Sequence, residues 1–257
     1  MQLNQRIAWI VGGGRGLGRA IAQAYAKEGA RLAVADIDLA AAQETLRLAG
    51  QAKEGLALSL DVSQPAAIKA AVQSVTDRFG RLDIMVNCAA ICPVDPLLEL
   101  TPERWDRVFA VNARGAFFCM QYAAAAMIPK KFGRIITITT PASQLAVPYF
   151  ATYGASKAAV DSLSKSAAIA WAPHGITVNS IAPGRMTGGM VDALDRDLAK
   201  ATGQNLEEFI AVRTKNLPMG RRVDPAEVAA SAVWLASEAA GYVTAERFNF
   251  TGGQELQ

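Results

Sequence analysis

Histidine is almost missing from this chain, with one, His174, in 257 residues. Ser-His-Asp and Cys-His nucleophile systems need a histidine base, and zinc sites draw on histidines or paired cysteines. His174 stands in "APHGIT", where a helix runs into a strand, and C-terminal capping suits it better than catalysis. An acid/base group other than histidine is therefore expected, and no metal site. Cysteine is scarce too. Cys88, Cys92 and Cys119 are odd in number and follow no motif spacing, which implies no disulfide framework and fits a reducing compartment. Charge of one sign is also lacking. A net charge of +3 with 19% charged residues is too mild and too scattered for a nucleic-acid surface. The basic pairs Lys130-Lys131 and Arg221-Arg222 read as solvated. No apolar run approaches the roughly 18 residues that a membrane span needs. The start, "MQLNQRIAWIVGGG", runs from a short apolar stretch straight into glycines, unlike a signal peptide. A cytoplasmic protein with no nucleic-acid or membrane partner is expected.

What the chain does hold is apolar sequence in a regular rhythm. Hydrophobic residues make up 51%, enough for a sizeable core. Short β-rich runs lie at 6–11, 31–35, 55–60, 83–87, 134–139, 176–182 and 247–250. Helical patterns separate them at 16–28, 38–49, 65–79, 102–130, 153–172 and 225–236. Most of the strands are apolar throughout, as in a parallel sheet covered on both faces, and the alternation predicts a doubly wound α/β fold. No linker or repeat divides the chain, so a single domain over 1–257 is expected. One stretch, 185–223, lacks a strand and carries a helix-like piece, "NLEEFIAVRTK". Following the carboxyl end of a strand, it lies where a lid over a ligand crevice belongs.

The densest motif is "IVGGGRGLGRA", between the first strand and the first helix. Glycines let a backbone turn tightly and approach a diphosphate, and the helix N-terminus offers free N–H groups and partial positive charge. Neither G-x-G-x-x-G nor the phosphate-binding G-x-x-x-x-G-K-[ST] fits, since Arg19 and Ala20 stand where the latter needs Lys and Ser/Thr. The frame that fits is G-x-x-x-G-x-G at Gly12, Gly16 and Gly18. Asp36 closes the second strand about 20 residues beyond the loop, where a carboxylate can accept hydrogen bonds from an adenosine ribose. It would repel a 2′-phosphate, which favours NAD over NADP. Arg15 argues mildly the other way, or covers the adenine side.

With these residues in place, the chain resembles the short-chain dehydrogenase/reductase family over essentially its whole length. The glycine loop matches, with Val11 where threonine is usual. "LDV" supplies Asp61 and Val62; "NCAA" at Asn87 to Ala90 stands for the family's NNAG; Asn112 lies in "VNARGAFF". "YGASK" supplies Tyr153 and Lys157, and "NSIAPG" ends in Pro183 and Gly184. "ADID", Gly188 and the tail "YVTAERFNFTGG" resemble the NAD-dependent polyol dehydrogenases within the family. The resemblance implies a seven-stranded Rossmann fold, a homotetramer packed through helices 102–130 and 153–172, and a small alcohol or ketone as substrate. It implies cofactor contacts from Gly12, Arg15, Gly16, Leu17, Gly18, Asp36, Asp61, Val62, Asn87, Tyr153, Lys157, Pro183, Gly184 and Met186.

Residues four apart on a helix face the same way, so Tyr153 and Lys157 can enter the crevice together. An isolated phenol, with a pKa near about 10, is a poor base at neutral pH. A neighbouring ammonium and a cationic nicotinamide would lower it. The expected chemistry has Tyr153 as acid/base and Lys157 lowering its pKa and holding the ribose. Asn112 would hold a water that links Lys157 to solvent. The family's catalytic serine falls at Thr140, which keeps the hydroxyl and adds a methyl, with Ser143 as a reserve. Ala90 stands where the family has glycine. Two alternatives remain open on the sequence: a reductase of a ketone or 3-oxoacyl thioester, and a non-catalytic NAD-binding sensor or scaffold.

Overall fold

The computed structural model describes residues 1–254. Seven strands form one parallel sheet: β1 (Ile7–Val11), β2 (Arg31–Asp36), β3 (Leu56–Ser59), β4 (Ile84–Asn87), β5 (Gly133–Ile138), β6 (Ile176–Pro183) and β7 (Arg247–Phe250). Their order is β3-β2-β1-β4-β5-β6-β7. Nine α-helices accompany them among the described residues: α1 (Gly16–Lys27), α2 (Leu39–Leu48), α3 (Pro65–Phe79), α4 (Pro102–Phe109), α5 (Ala116–Met127), α6 (Ala151–Trp171), α7 (Gly189–Thr202), α8 (Leu206–Lys215) and α9 (Pro225–Ala236). The predicted Rossmann architecture is present, with every strand within two residues of its expected bounds.

The strands are apolar on both faces because both faces are covered. In β1, Ala8 and Ile10 join the core layer beneath α1, α2 and α9, while Ile7, Trp9 and Val11 join the layer beneath α3, α5 and α6. Ile10 sits between Val34 and Val86 on the flanking strands. Each such side chain, wholly shielded from water, is worth about 1.5–3 kcal/mol relative to exposure. Helix ends follow local chemistry. Asp224 caps α9 through Ala226 N–H while Glu227 returns a bond to the Asp224 N–H, with Pro225 at the first helical position.

Strand order reverses between β1 and β4, which places a crevice at their carboxyl ends. The helix expected over 102–130 is broken there. α4 stops at Phe109, a wide π-turn spans Ala110–Gly115, and α5 begins at Ala116. The segment 185–223 contains two helices, α7 and α8, of which only α8 was legible. Its two feet are tied together by a parallel bridge between Met186 and Val223, with Thr187 N–H to Val223 O at 3.0 Å and Val223 N–H to Arg185 O at 2.9 Å. Of the basic pair expected to be solvated, Arg221 is half-exposed and pairs with Glu227, but Arg222 is 13% exposed and bonded to Asp192 at 2.8 Å. The carboxylates of Asp192 and Asp195 on α7 draw that arginine inward.

Candidate active site

The glycine loop turns on itself tightly enough to dictate its composition. A Cβ on Gly18 would lie 2.2 Å from Gly12 O, and one on Gly14 would lie 2.7 Å from Asp36 Oδ2. Gly16 differs. Its φ is +51°, and a Cβ there would meet no protein atom within 4 Å. It faces a cavity of about 1100 Å3. Asp36 ties the loop to β2, accepting from Gly14 N–H at 2.9 Å and from Asp38 N–H at 3.1 Å. Arg15 reaches over the same corner to Asp38 Oδ2 at 2.5 Å with 75% of its side chain exposed. Arg19, at the loop's far end, donates to Gly14 O at 2.5 Å and to Thr45 Oγ1 at 3.0 Å, so its charge braces the loop from behind.

Following the strand order, the cavity wall runs from Asp36, Asp61 and Val62 past Gly12, Gly16, Leu17 and Gly18 to Thr140, Tyr153 and Lys157, then to Pro183, Gly184 and Met186. Of the sequence-predicted residues, Asn87, Asn112 and Ser143 lie outside this lining. Asn87 is buried and accepts from Ala89 N–H at 3.2 Å. A cavity that begins at a helix N-terminus with an open, methyl-free floor fits a dinucleotide: Gly16 and the first turn of α1 would take a diphosphate, Asp36 a ribose hydroxyl, and Tyr153 would stand at the reacting end.

At the reacting end, α6 is held close to the turn after β5. A Cβ on Gly154 would lie 2.5 Å from Ala142 O, so the glycine lets Tyr153 approach Thr140. The Thr140 hydroxyl hydrogen-bonds the phenol and pulls its pKa down, but burial dominates and pushes Tyr153 well above the usual phenol value. The expected lowering by Lys157 is thus not what the protein's own groups produce. Lys157 is 1% exposed, donates to Ile138 O at 2.7 Å, and has its nitrogen 6.0 Å from the Tyr153 ring centre. Burial drops its pKa to about 8, opposed by the thiols of Cys88 and Cys92 and by Asp161. The two thiols, also in the wall, are pushed up to about 12 by burial.

Two expected roles meet different geometry. Asn112, buried in the π-turn, spends both amide N–H groups on protein, at 2.8 Å to Ile91 O and 3.0 Å to Ser156 Oγ, and its oxygen accepts from Ile91 N–H at 2.9 Å. Its side chain clamps the loop after β4 to α6 rather than holding a water with its N–H groups. The Ser143 hydroxyl, with one proton to give, lies 2.6 Å from Asp161 Oδ2 and 2.9 Å from Thr140 O, both acceptors within its reach. Arg247, from β7, lies 3.2 Å from Asp161 and donates to Thr140 O at 2.9 Å. Ser143 therefore fixes the Thr140 backbone and leaves Thr140 as the hydroxyl in the cavity. Asp161 and Arg247 escaped the sequence reading, being 18 and 104 residues from Ser143 with no motif to join them.

The fold and the cavity define an oxidoreductase built around a nicotinamide dinucleotide, and the comparisons agree. A family profile described as enoyl-(acyl carrier protein) reductase matches residues 12–255. Galactitol 2-dehydrogenase of Agrobacterium fabrum (strain C58) is 39% identical over 254 residues, covering 98% of both chains. Sorbitol dehydrogenase of Cereibacter sphaeroides gives the same identity and coverage. A solved actinorhodin polyketide ketoreductase with NADPH superposes with a TM-score of 0.92 at 30% identity, covering 98% of both chains. The chain belongs to the short-chain dehydrogenase/reductase family. No helix among the described residues is long and apolar enough to cross a membrane.

Proposed function

We propose that this protein is an NAD-dependent dehydrogenase that oxidises a secondary alcohol of a polyol or sugar. The observation that carries the reading is one continuous cavity joining the glycine loop and Asp36 to Thr140, Tyr153 and Lys157. The similarity to galactitol and sorbitol dehydrogenases supports the substrate class. Asp36 supports NAD, because a 2′-phosphate beside a carboxylate that already braces the loop would be repelled.

Bound in this cavity, the oxidised dinucleotide supplies the hydride acceptor and a positive charge beside Tyr153. Thr140 holds the substrate oxygen through its hydroxyl. Tyr153 takes the hydroxyl proton as the alcohol is oxidised, and returns it when the reaction runs toward the ketone. Lys157, fixed by Ile138 O, supplies cationic charge next to the phenol and a donor for the ribose. Burial favours the protonated phenol, so the protein alone presets Tyr153 as an acid, and oxidation depends on the added positive charge. The segment 185–223 acts as a lid that excludes water. The outer faces of α5, with Phe117, Phe118 and Tyr122, and of α6, with Ala155, Ala158 and Ala159, pack a homotetramer, and the three unpaired cysteines suit a reducing, cytoplasmic setting.

Reduction of a ketone or 3-oxoacyl thioester is the second reading, favoured by the close superposition on a polyketide ketoreductase. The deciding experiment is Tyr153→Phe, followed by cofactor reduction at 340 nm against polyols, hydroxy acids and secondary alcohols. The expected loss of turnover is about 10²–10⁴-fold with cofactor binding retained, the usual worth of a positioned acid/base. Near wild-type turnover in the variant would sink the scheme.

A further inference from the structure

The far wall of the cavity carries a buried charge cluster that hydride transfer does not use. Asp195 of α7 is 1% exposed and takes two arginines head-on: Arg185 Nη2 at 2.7 Å and Arg213 Nη1 at 2.8 Å. A third, Arg222, reaches Asp195 at 3.4 Å and Asp192 at 2.8 Å. Three guanidinium groups therefore face two carboxylates, an excess of one positive charge. Arg185, Asp195 and Arg213 all line the cavity.

The cluster is also short of acceptors. The Arg185 side chain is 8% exposed, and its Nε and Nη1 have no hydrogen-bond partner; Arg222 Nε has none either. A buried polar group without a partner costs about 1–3 kcal/mol, and more when charged. A fold seeking only stability would be better served by apolar residues here. Burial and the neighbouring Arg213 hold the Arg185 pKa down at about 10, against the opposing pull of Asp195.

Position supplies the rest. Arg185 immediately follows the Pro183-Gly184 turn at the end of β6, and Thr140 follows β5, the strand paired with β6. The cluster thus lies on the β6 side of the cavity; α7 begins close to the glycine loop, where a Cβ on Gly189 would stand 3.9 Å from Gly16 Cα, and Asp195 comes six residues further along it. We propose that the substrate is a polyhydroxy alcohol with one anionic end, a carboxylate or a phosphate, seated against Arg213 with Arg185 behind it. This rests on the dehydrogenase reading and narrows its substrate class. Guanidinium pairs match the flat, two-oxygen face of either anion.

The test titrates sorbitol, gluconate and sorbitol phosphate into the full chain held as its NADH complex, which prevents turnover and fills the dinucleotide's own phosphate seat. Calorimetry is expected to show gluconate or sorbitol phosphate binding at least about tenfold more tightly than sorbitol, the worth of one charge-assisted contact. The two anions separate carboxylate from phosphate. Arg213→Met should erase the preference and Arg213→Lys should keep part of it. Asp195→Asn, which removes a negative charge at constant size, should tighten anion binding. Sorbitol binding as tightly as both anions overturns the proposal, and so does an Arg213→Met protein, folded and binding NADH, that keeps the preference. If the anion preference holds while none of the three compounds reduces NAD, the anion seat stands and the polyol reading falls.

Discussion

Replacing Gly16 by alanine separates what the glycine loop does for folding from what it does for a ligand. At φ +51°, an L-residue pays about 1–2 kcal/mol. The stiffer unfolded chain returns about 0.4–1 kcal/mol of that. The new methyl meets no protein atom within 4 Å, so packing adds nothing. The net loss is about 1 kcal/mol, a Tm drop of about 2–4 °C in a chain of this size. The same methyl stands on the cavity floor at the N-terminus of α1, where a diphosphate would approach the backbone. Losing one or two charge-assisted N–H contacts of about 1.5–3 kcal/mol each weakens NAD binding by about tenfold to several-hundredfold or more. Thermal unfolding and calorimetric titration of the same preparation give the two quantities. Wild-type NAD affinity in Gly16→Ala would refute the loop as the phosphate seat. A stability loss of several kcal/mol without ligand would refute the open floor. Gly18→Ala is the contrast: with its Cβ 2.2 Å from Gly12 O, the loop itself must move, and folding and binding fail together.

Asp36→Ala should shift the ratio of kcat/KM for NAD over NADP toward NADP by about tenfold or more, as one repelled phosphate implies; an unchanged ratio would leave Asp36 only its part in bracing Gly14. Thr140→Ser should retain most activity and Thr140→Val should lose about 10²-fold or more, whereas Ser143→Ala should cost about 1–3 kcal/mol of stability and spare the acid limb of the pH–rate profile. Equal losses in kcat from Thr140→Val and Ser143→Ala would reverse that assignment. The protein should lose stability as pH rises above about 9. Cys88 and Cys92 have folded pKa values raised to about 12 from 9.0, so the unfolded chain releases their protons first. Each such proton is worth about 1.4 kcal/mol per pH unit. Between pH 9 and 10 only Lys157, lowered to about 8 from 10.5, acts oppositely, one group against two; above about 10 the lowered Arg185 opposes the thiols as well. Urea unfolding under reducing conditions at several alkaline pH values checks it, and stability flat or rising between about pH 9 and 10 would contradict the burial of these thiols.

The sheet was legible because each strand is an apolar run between turn residues, a signal that needs no tertiary information. The helix breaks were not. Residues 102–130 carry a continuous helical pattern, and the π-turn at Ala110–Gly115 goes with the bonding of Asn112 to the backbone of Ile91, a partner from another loop. α7 begins at the second of two glycines with positive φ and has no capping side chain, so nothing local announced it. Tyr153 and Lys157 could be placed together in the cavity because both residues share one helix face. The settings of Thr140 and Ser143 could not, because Asp161 and Arg247 reach them from α6 and β7 through the fold alone. For the Tyr153 pKa, spacing shows only one of two opposing influences. Spacing reports that an ammonium is near a phenol, but burial, which here acts more strongly, is a property of everything packed around it.

The paired feet of the segment 185–223 have an evolutionary consequence. Beyond the end of β6 the segment starts at Met186 and returns beside it at Val223, so a change in its length need not move the strands or the helix that carries Tyr153 and Lys157. Closing a longer or shorter loop over the same gap changes the folding free energy only logarithmically with length. Such a segment can be replaced whole, like a cartridge in a fixed socket, giving a family one engine for hydride chemistry and many grips for the molecules fed to it.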